Sequence, residues 1–131
     1  RNRGTSGKRL RYFLARIERQ LSGADISDEA MTATVEHILP ENPPDSDWTD
    51  VKPDARERCV ERLGNYSLLE RNLNSREASN LHFSDKVSIY SKSQYKTSKE
   101  LCDYSEWTEE AINIRQVKMA KVAKTVWAIQ T

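Results

Sequence analysis

From Lys8 to Leu21, apolar side chains fall at Leu10, Phe13, Leu14, Ile17 and Leu21. Steps of three and four residues put them along one side of a helix, and Ser22-Gly23 supplies a stop. Residues 1–7 lack this pattern, are broken by Gly4 and Gly7, and predict a flexible lead-in. Further on, Met31-Thr32-Ala33-Thr34-Val35 is rich in β-branched residues and predicts a short extended segment. It runs into Glu36-His37-Ile38-Leu39-Pro40, where the proline disfavours helix at Leu39. Glu41 to Pro53 is a polar loop carrying Pro43 and Pro44, and Trp48 is expected to pin it to the core.

The second half of the chain is mostly helical in pattern. Asp54 to Leu63 predicts a helix, with Pro53 near its first turn and Gly64 as its stop. Asn65-Tyr66-Ser67-Leu68-Leu69 reads as a second short strand, and Arg71 to Asn80 as an Asn-rich loop running into a short helix. Ser84 to Tyr90 is a further helix, and Thr97-Ser98-Lys99-Glu100 has the form of a capping box. Thr108-Glu109-Glu110 opens a long last helix with Ile112, Met119, Ala120, Ala123, Val126 and Trp127 as its buried stripe. Trp107 and Trp127 are expected core anchors. The fold class is therefore α+β and mostly helical, with a small hairpin-and-helix core inside a helical domain. A hairpin of the two strands would set His37 against the Asn-rich segment.

Length and composition narrow this picture. The 131 residues fit one domain, taken as residues 8–131. The chain opens on Arg1-Asn2-Arg3, and we read it as the C-terminal part of a longer protein. Apolar residues make up 37% and charged residues 31%, as in a soluble globule. No apolar run approaches the roughly 18–20 residues that span a bilayer. With no secretory signal, the expected location is cytoplasmic. Cys59 and Cys102 form no CxxC pair, which argues against a cysteine zinc site and for two reduced thiols, Cys59 in the core. The net charge of +1 does not mark a nucleic-acid binder. Lys8, Arg9, Arg11, Arg16 and Arg19 cluster near one end, however, and Arg115, Lys118, Lys121 and Lys124 near the other. Such faces either attract phosphates or are simply solvated.

There are two histidines, His37 and His82. Imidazole titrates near neutrality and can take a proton from water. His37 stands beside Glu36 at the end of a predicted strand. Neighbouring strand residues point to opposite sides, so the two share a site only if the backbone turns between them. Phosphodiester hydrolysis needs an activated water, a cation on the phosphate and stabilisation of the leaving oxygen. A hard ion such as Mg2+ supplies the last two through oxygen ligands. Glu36 offers a carboxylate, and Asn65, Asn72, Asn74 and Asn80 offer amides. These residues alone leave open a nuclease, a catalytically silent DNA-binding or interaction module, and a helical assembly domain.

Glu36-His37-Ile38-Leu39-Pro40 resembles the acid-His-Ile-x-Pro signature of His-Asn-His (ββα-metal) endonucleases, and Leu63-Gly64-Asn65-Tyr66-Ser67-Leu68-Leu69 resembles their middle motif. Asn74 falls where that family carries its third residue. The continuation through Asn80, Phe83, Lys86, Tyr90, Trp107, Ile112, Arg115 and Trp127 is similar to the C-terminal nuclease domain of Gmr-type, modification-dependent (type IV) restriction systems. A related arrangement occurs in phosphorothioate-linked phage defence. The resemblance implies a metal-dependent DNA endonuclease using Mg2+, with Mn2+ or Ni2+ as substitutes. It makes His37 the general base and Asn65 the residue that holds the His-bearing loop, with Glu36 and Asn74 as metal ligands. Arg71, Arg76 and Lys86 become candidates for holding DNA phosphates, and His82 a bystander. Implied partners are DNA, phage-derived or modified, and an N-terminal ParB-like nucleotide-hydrolysing domain.

Overall fold

The amphipathic period of the first segment produces helix α1 (Gly4–Ser22) in a computed structural model that describes residues 4–23, 32–41, 48, 51–74 and 81–128. Leu14 and Ile17 are fully buried along its inner stripe. The helix begins about a turn before the expected start at Lys8, inside the expected lead-in, and continues through Gly7, a residue that costs a helix only about 1 kcal/mol relative to Ala. Gly23 ends it. Its φ of 74° is left-handed backbone, and its amide donates to the Arg19 carbonyl at 2.8 Å, closing the helix as a C-terminal cap.

Strands β1 (Thr34–His37) and β2 (Tyr66–Leu69) pair antiparallel, with Thr34 opposite Leu69 and His37 opposite Tyr66. Met31, expected in the first strand, lies outside the described residues, as do Pro43 and Pro44 of the loop. An isolated two-stranded hairpin is marginal in water, and here both faces are covered. On one face Tyr66 and Leu68 join Leu14, Ile17, Ala33 and Met119. On the other, Leu69 joins a cluster of Ile38, Leu39, Trp48, Cys59, Phe83, Tyr90, Trp107 and Ile112. Every residue of β2 is consequently buried.

Helix α2 (Pro53–Cys59) starts on its proline as expected but stops before Leu63. Arg62 is extended, and a 3-10 turn, Leu63–Asn65, carries the chain into β2. Helices α3 (Phe83–Tyr90), α4 (Lys96–Lys99) and α5 (Glu109–Ala128) follow, with a second 3-10 turn at Glu100–Asp103. His82 caps α3 by accepting from the Ser84 amide at 3.2 Å. Thr108 opens α5 by accepting from the Ala111 amide at 3.2 Å.

The supposed capping box works differently. Thr97 and Ser98 lie inside α4, buried, with their hydroxyls on Leu68 and Ser67 of β2. The cap comes from α1, where the buried carboxylate of Glu18 accepts from the amides of Lys96 at 2.7 Å and Thr97 at 2.9 Å. Arg115 likewise leaves the basic face it was read into. It is fully buried and donates to the carbonyls of Gly64, Tyr66 and Thr97 and to Glu100. On the same helix Ala120 is exposed, while Ile112, Met119 and Val126 keep the expected inward face. Trp107 is fully buried, and the half-buried Trp127 stacks on Phe13 at 4.7 Å. Cys59 is buried, Cys102 is exposed, and both are free thiols. No helix among the described residues is long and apolar enough to cross a membrane.

Gly64 is where α5 meets the turn before β2. A Cβ there would stand 2.3 Å from the Ile112 carbonyl oxygen and 2.7 Å from the Gln116 nitrogen, both backbone atoms of a long helix. Gly64→Ala is therefore expected to cost about 3 kcal/mol, the upper part of the range for overpacking. Urea denaturation monitored by tryptophan fluorescence checks this, and a change below about 1 kcal/mol would mean that α5 yields easily.

Candidate active site

The alternation of β1 divides the Glu36-His37 pair. Glu36 turns inward and is 3% exposed. His37 turns to the other face, its side chain 13% exposed, and its ring meets the Tyr66 ring edge-on at 5.0 Å. The backbone bends only after the strand has ended, at Ile38 and Leu39. The two side chains thus enter different surroundings.

On the His37 face two carboxylates converge. His37 Nε2 lies 3.7 Å from Glu61 Oε2 and 4.0 Å from Glu41 Oε1. Glu41 reaches back across Pro40, and Glu61 comes from the turn between α2 and β2. Tyr66 donates its hydroxyl to Glu61, fixing that carboxylate beside the imidazole. Ligand atoms of His37, Glu41 and Glu61 all lie within 4.8 Å of one another. Both glutamates are exposed to solvent, and two carboxylates are the donor type a hard divalent cation prefers.

The turn that follows His37 is held by two side chains, Asn65 and Lys86. Asn65 is fully buried. Its Oδ1 accepts from the Leu39 amide at 2.8 Å and from Trp107 Nε1 at 3.0 Å. Its Nδ2 donates to the carbonyls of Leu39 and Val60, each at 3.0 Å. Its own carbonyl accepts from the Ile38 amide at 3.0 Å. From α3, Lys86 donates to the carbonyls of His37 and Ile38, each at 3.0 Å. Three consecutive carbonyls, from the last residue of the strand to Leu39, are therefore satisfied by two side chains, as buried backbone groups require.

The other expected site residues fall elsewhere. Glu36 Oε2 accepts from Lys86 Nζ at 3.1 Å and from the Tyr90 hydroxyl at 2.6 Å. A second cation there would be repelled by the ammonium, so this surrounding does not suit a metal ligand. Asn74 donates its Nδ2 to Thr34 Oγ1 at 2.8 Å, at the far end of β1 from His37. Lys86, read as a phosphate contact, is 1% exposed and cannot present its ammonium to DNA without leaving the core. Arg71 is exposed. Arg76 and Asn80 lie outside the described residues, and Asn72 is exposed. Glu41, Glu61, Tyr66 and Tyr90 were not singled out as site residues in the sequence. For Tyr90 a signal existed, since Lys86 and Tyr90 stand one helical turn apart on one face. For Glu61 none did, because its place depends on α2 ending early.

Comparison with known proteins adds a family. The model described as GmrSD restriction endonucleases, C-terminal domain, matches residues 1–122. No curated protein matches the chain, and no solved structure does.

Proposed function

The chain belongs to the family of GmrSD restriction endonuclease C-terminal domains, and from that premise we propose that it is a His-Asn-His-type, metal-dependent DNA endonuclease acting in anti-phage restriction, with His37 as the general base. The observation that carries this reading is the imidazole of His37, set beside two convergent carboxylates and just before a turn that Asn65 fixes. The imidazole takes a proton from water as the water oxygen bonds to phosphorus and the bond to the 3′ oxygen breaks. The departing 3′ oxygen takes a proton from solvent, so the ends left are a 5′-phosphate and a 3′-hydroxyl, and the imidazolium returns its proton to solvent. Glu41 and Glu61 would hold the cation, in place of the expected Glu36 and Asn74. When bound, a divalent ion such as Mg2+ makes the phosphorus more electrophilic and stabilises the departing oxygen. Arg71, exposed just after β2, is our candidate for a DNA phosphate contact. An N-terminal ParB-like nucleotide-hydrolysing domain in the full-length protein would regulate cleavage.

A second reading, a catalytically silent DNA-binding module, draws on the Glu36 carboxylate being engaged by Lys86 and Tyr90. Incubation with supercoiled plasmid separates the two. Nicked or linear product is expected with Mg2+ or Mn2+ and none with chelator. Plasmid that stays supercoiled with every cation, while DNA binding falls normally with salt, would favour the silent module.

A further inference from the structure

Glu36, Lys86 and Tyr90 form a buried polar assembly that the proposed chemistry does not use. Their exposures are 3%, 1% and 0%. Lys86 and Tyr90 stand one turn apart on α3 and both reach the end of β1. An ammonium has three protons to donate, and all three are placed: on Glu36 Oε2 at 3.1 Å, on the His37 carbonyl at 3.0 Å and on the Ile38 carbonyl at 3.0 Å. The Tyr90 hydroxyl donates to the same Glu36 oxygen at 2.6 Å. The Trp48 ring closes the chamber 6.0 Å from the ammonium.

A buried ion pair is a poor device for stability. Two charges must be desolvated, and an apolar replacement is often as stable or more so. The cost of this pair is better explained by where its hydrogen bonds go. Two of the three end on the peptide groups that follow the His37 and Ile38 side chains. A single carboxylate supplies the charge that keeps the ammonium in place. Burial pulls the Lys86 ammonium below its ordinary range, opposed by the charge of Glu36. Burial raises the Tyr90 phenol well above its own, so the hydroxyl stays protonated and able to donate.

We propose that Lys86 is a positioning residue, which holds the backbone that aims the His37 imidazole, and that Glu36, itself held by the Tyr90 hydroxyl, is its anchoring anion rather than a metal ligand. This rests on the nuclease reading for its kinetic test and on the geometry alone for its structural one. Because His37 sits at the last residue of β1, the peptide planes after it decide where its ring points. Asn65 fixes those planes at Leu39, and Lys86 fixes them at His37 and Ile38. Displacing a catalytic group by 1 Å can cost about 100-fold in rate.

The test uses Lys86→Met, the milder Tyr90→Phe, Glu36→Gln, and the charge-balanced double variant Glu36→Gln with Lys86→Met. In Mg2+-dependent plasmid nicking, Lys86→Met is expected to lose about 100-fold in kcat, with KM changed less than about twofold. Tyr90→Phe, which removes only a hydroxyl, is expected to lose about tenfold. The double variant buries no unpaired charge and regains thermal stability, yet kcat stays low. A double variant that regains kcat along with stability would overturn the proposal, since charge balance would then be the whole role of Lys86. Glu36→Gln is expected to bind Mn2+ about as tightly as the wild type, and loss of that affinity would make Glu36 a ligand after all. Amide hydrogen exchange at Ile38 and Leu39 should quicken in Lys86→Met beyond any change in global stability. If the wild type does not cleave at all, the nuclease reading fails by itself. The positioning role is then decided by exchange, and unaltered protection at Ile38 and Leu39 would sink it.

Discussion

His37→Ala is expected to lower the rate of metal-dependent nicking by about three orders of magnitude, within the range for loss of a general base. Folding and DNA binding should be nearly unchanged. The imidazole is partly buried, its side chain 13% exposed, and it meets Tyr66 edge-on, while its backbone carbonyl is held independently by Lys86. Loss of a partly buried side chain away from the two main clusters is expected to cost about 1–2 kcal/mol, so the variant should still fold and melt below the wild type by a few degrees. The remaining imidazole is an unsuitable substitute. His82 caps α3 and packs on the Trp48 ring at 5.2 Å. Plasmid nicking, gel shift and Mn2+ titration on one preparation read the three properties separately. Nicking at the wild-type rate would place the base elsewhere. Lost nicking together with lost Mn2+ affinity would make His37 a ligand to the cation, a role its distance from Glu41 and Glu61 also permits.

Much of this geometry could be read from the residues, and the parts that could not share a cause. The period of α1, the two strands, their pairing and the opening of α5 at Thr108 are local signals, and the structure carries them. The family match agrees with the motif order that pointed to a Gmr-type nuclease domain. The failures lie where a local pattern was answered by a distant partner. Thr97 looks like a cap because of its neighbours, but the carboxylate that caps α4 arrives from Glu18 on α1. Arg115 looks like one of a row of surface cations, but three carbonyls around β2 and α4 draw it inside.

The Glu36-His37 pair shows the same limit more sharply. Residue types at Glu36 and His37 suggest one shared site, while strand alternation separates them. The reading depended on a turn between them. The turn comes after both, at Ile38, so Glu36 meets α3 while His37 meets Glu41 and Glu61. Nothing in the sequence near His37 announces that a lysine 49 residues away will take the carbonyl of His37.

The Asn65 side chain carries the second large effect, this time on both stability and rate. Asn65→Ala removes two acceptor contacts, from Leu39 and Trp107, and two donor contacts, to Leu39 and Val60. Burial leaves these partners little access to water, and each unsatisfied group costs about 1–3 kcal/mol. Allowing for relaxation, a loss of about 4 kcal/mol is expected, a large share of the 5–15 kcal/mol that holds a typical domain together. Nicking by whatever remains folded should fall about 100-fold, because the turn after His37 loses its tie at Leu39. Asn65→Asp sharpens the argument. It keeps an acceptor for Leu39 and Trp107 but sets a second carboxylate oxygen against the carbonyls of Leu39 and Val60. That repulsion raises the folded-state pKa of the new acid above its unfolded value of about 3.9. The stabilising contribution of its protonated form, which can donate to one of the carbonyls, is then fully present below the unfolded pKa. It is lost as pH rises through the folded one. Asn65→Asp should therefore come closer to the wild type in urea at pH 4 than at pH 7, whereas Asn65→Ala should show the same deficit at both. An aspartate variant equally stable at the two pH values would mean that the Nδ2 contacts matter little, and that the turn is held chiefly by Trp107 and the backbone.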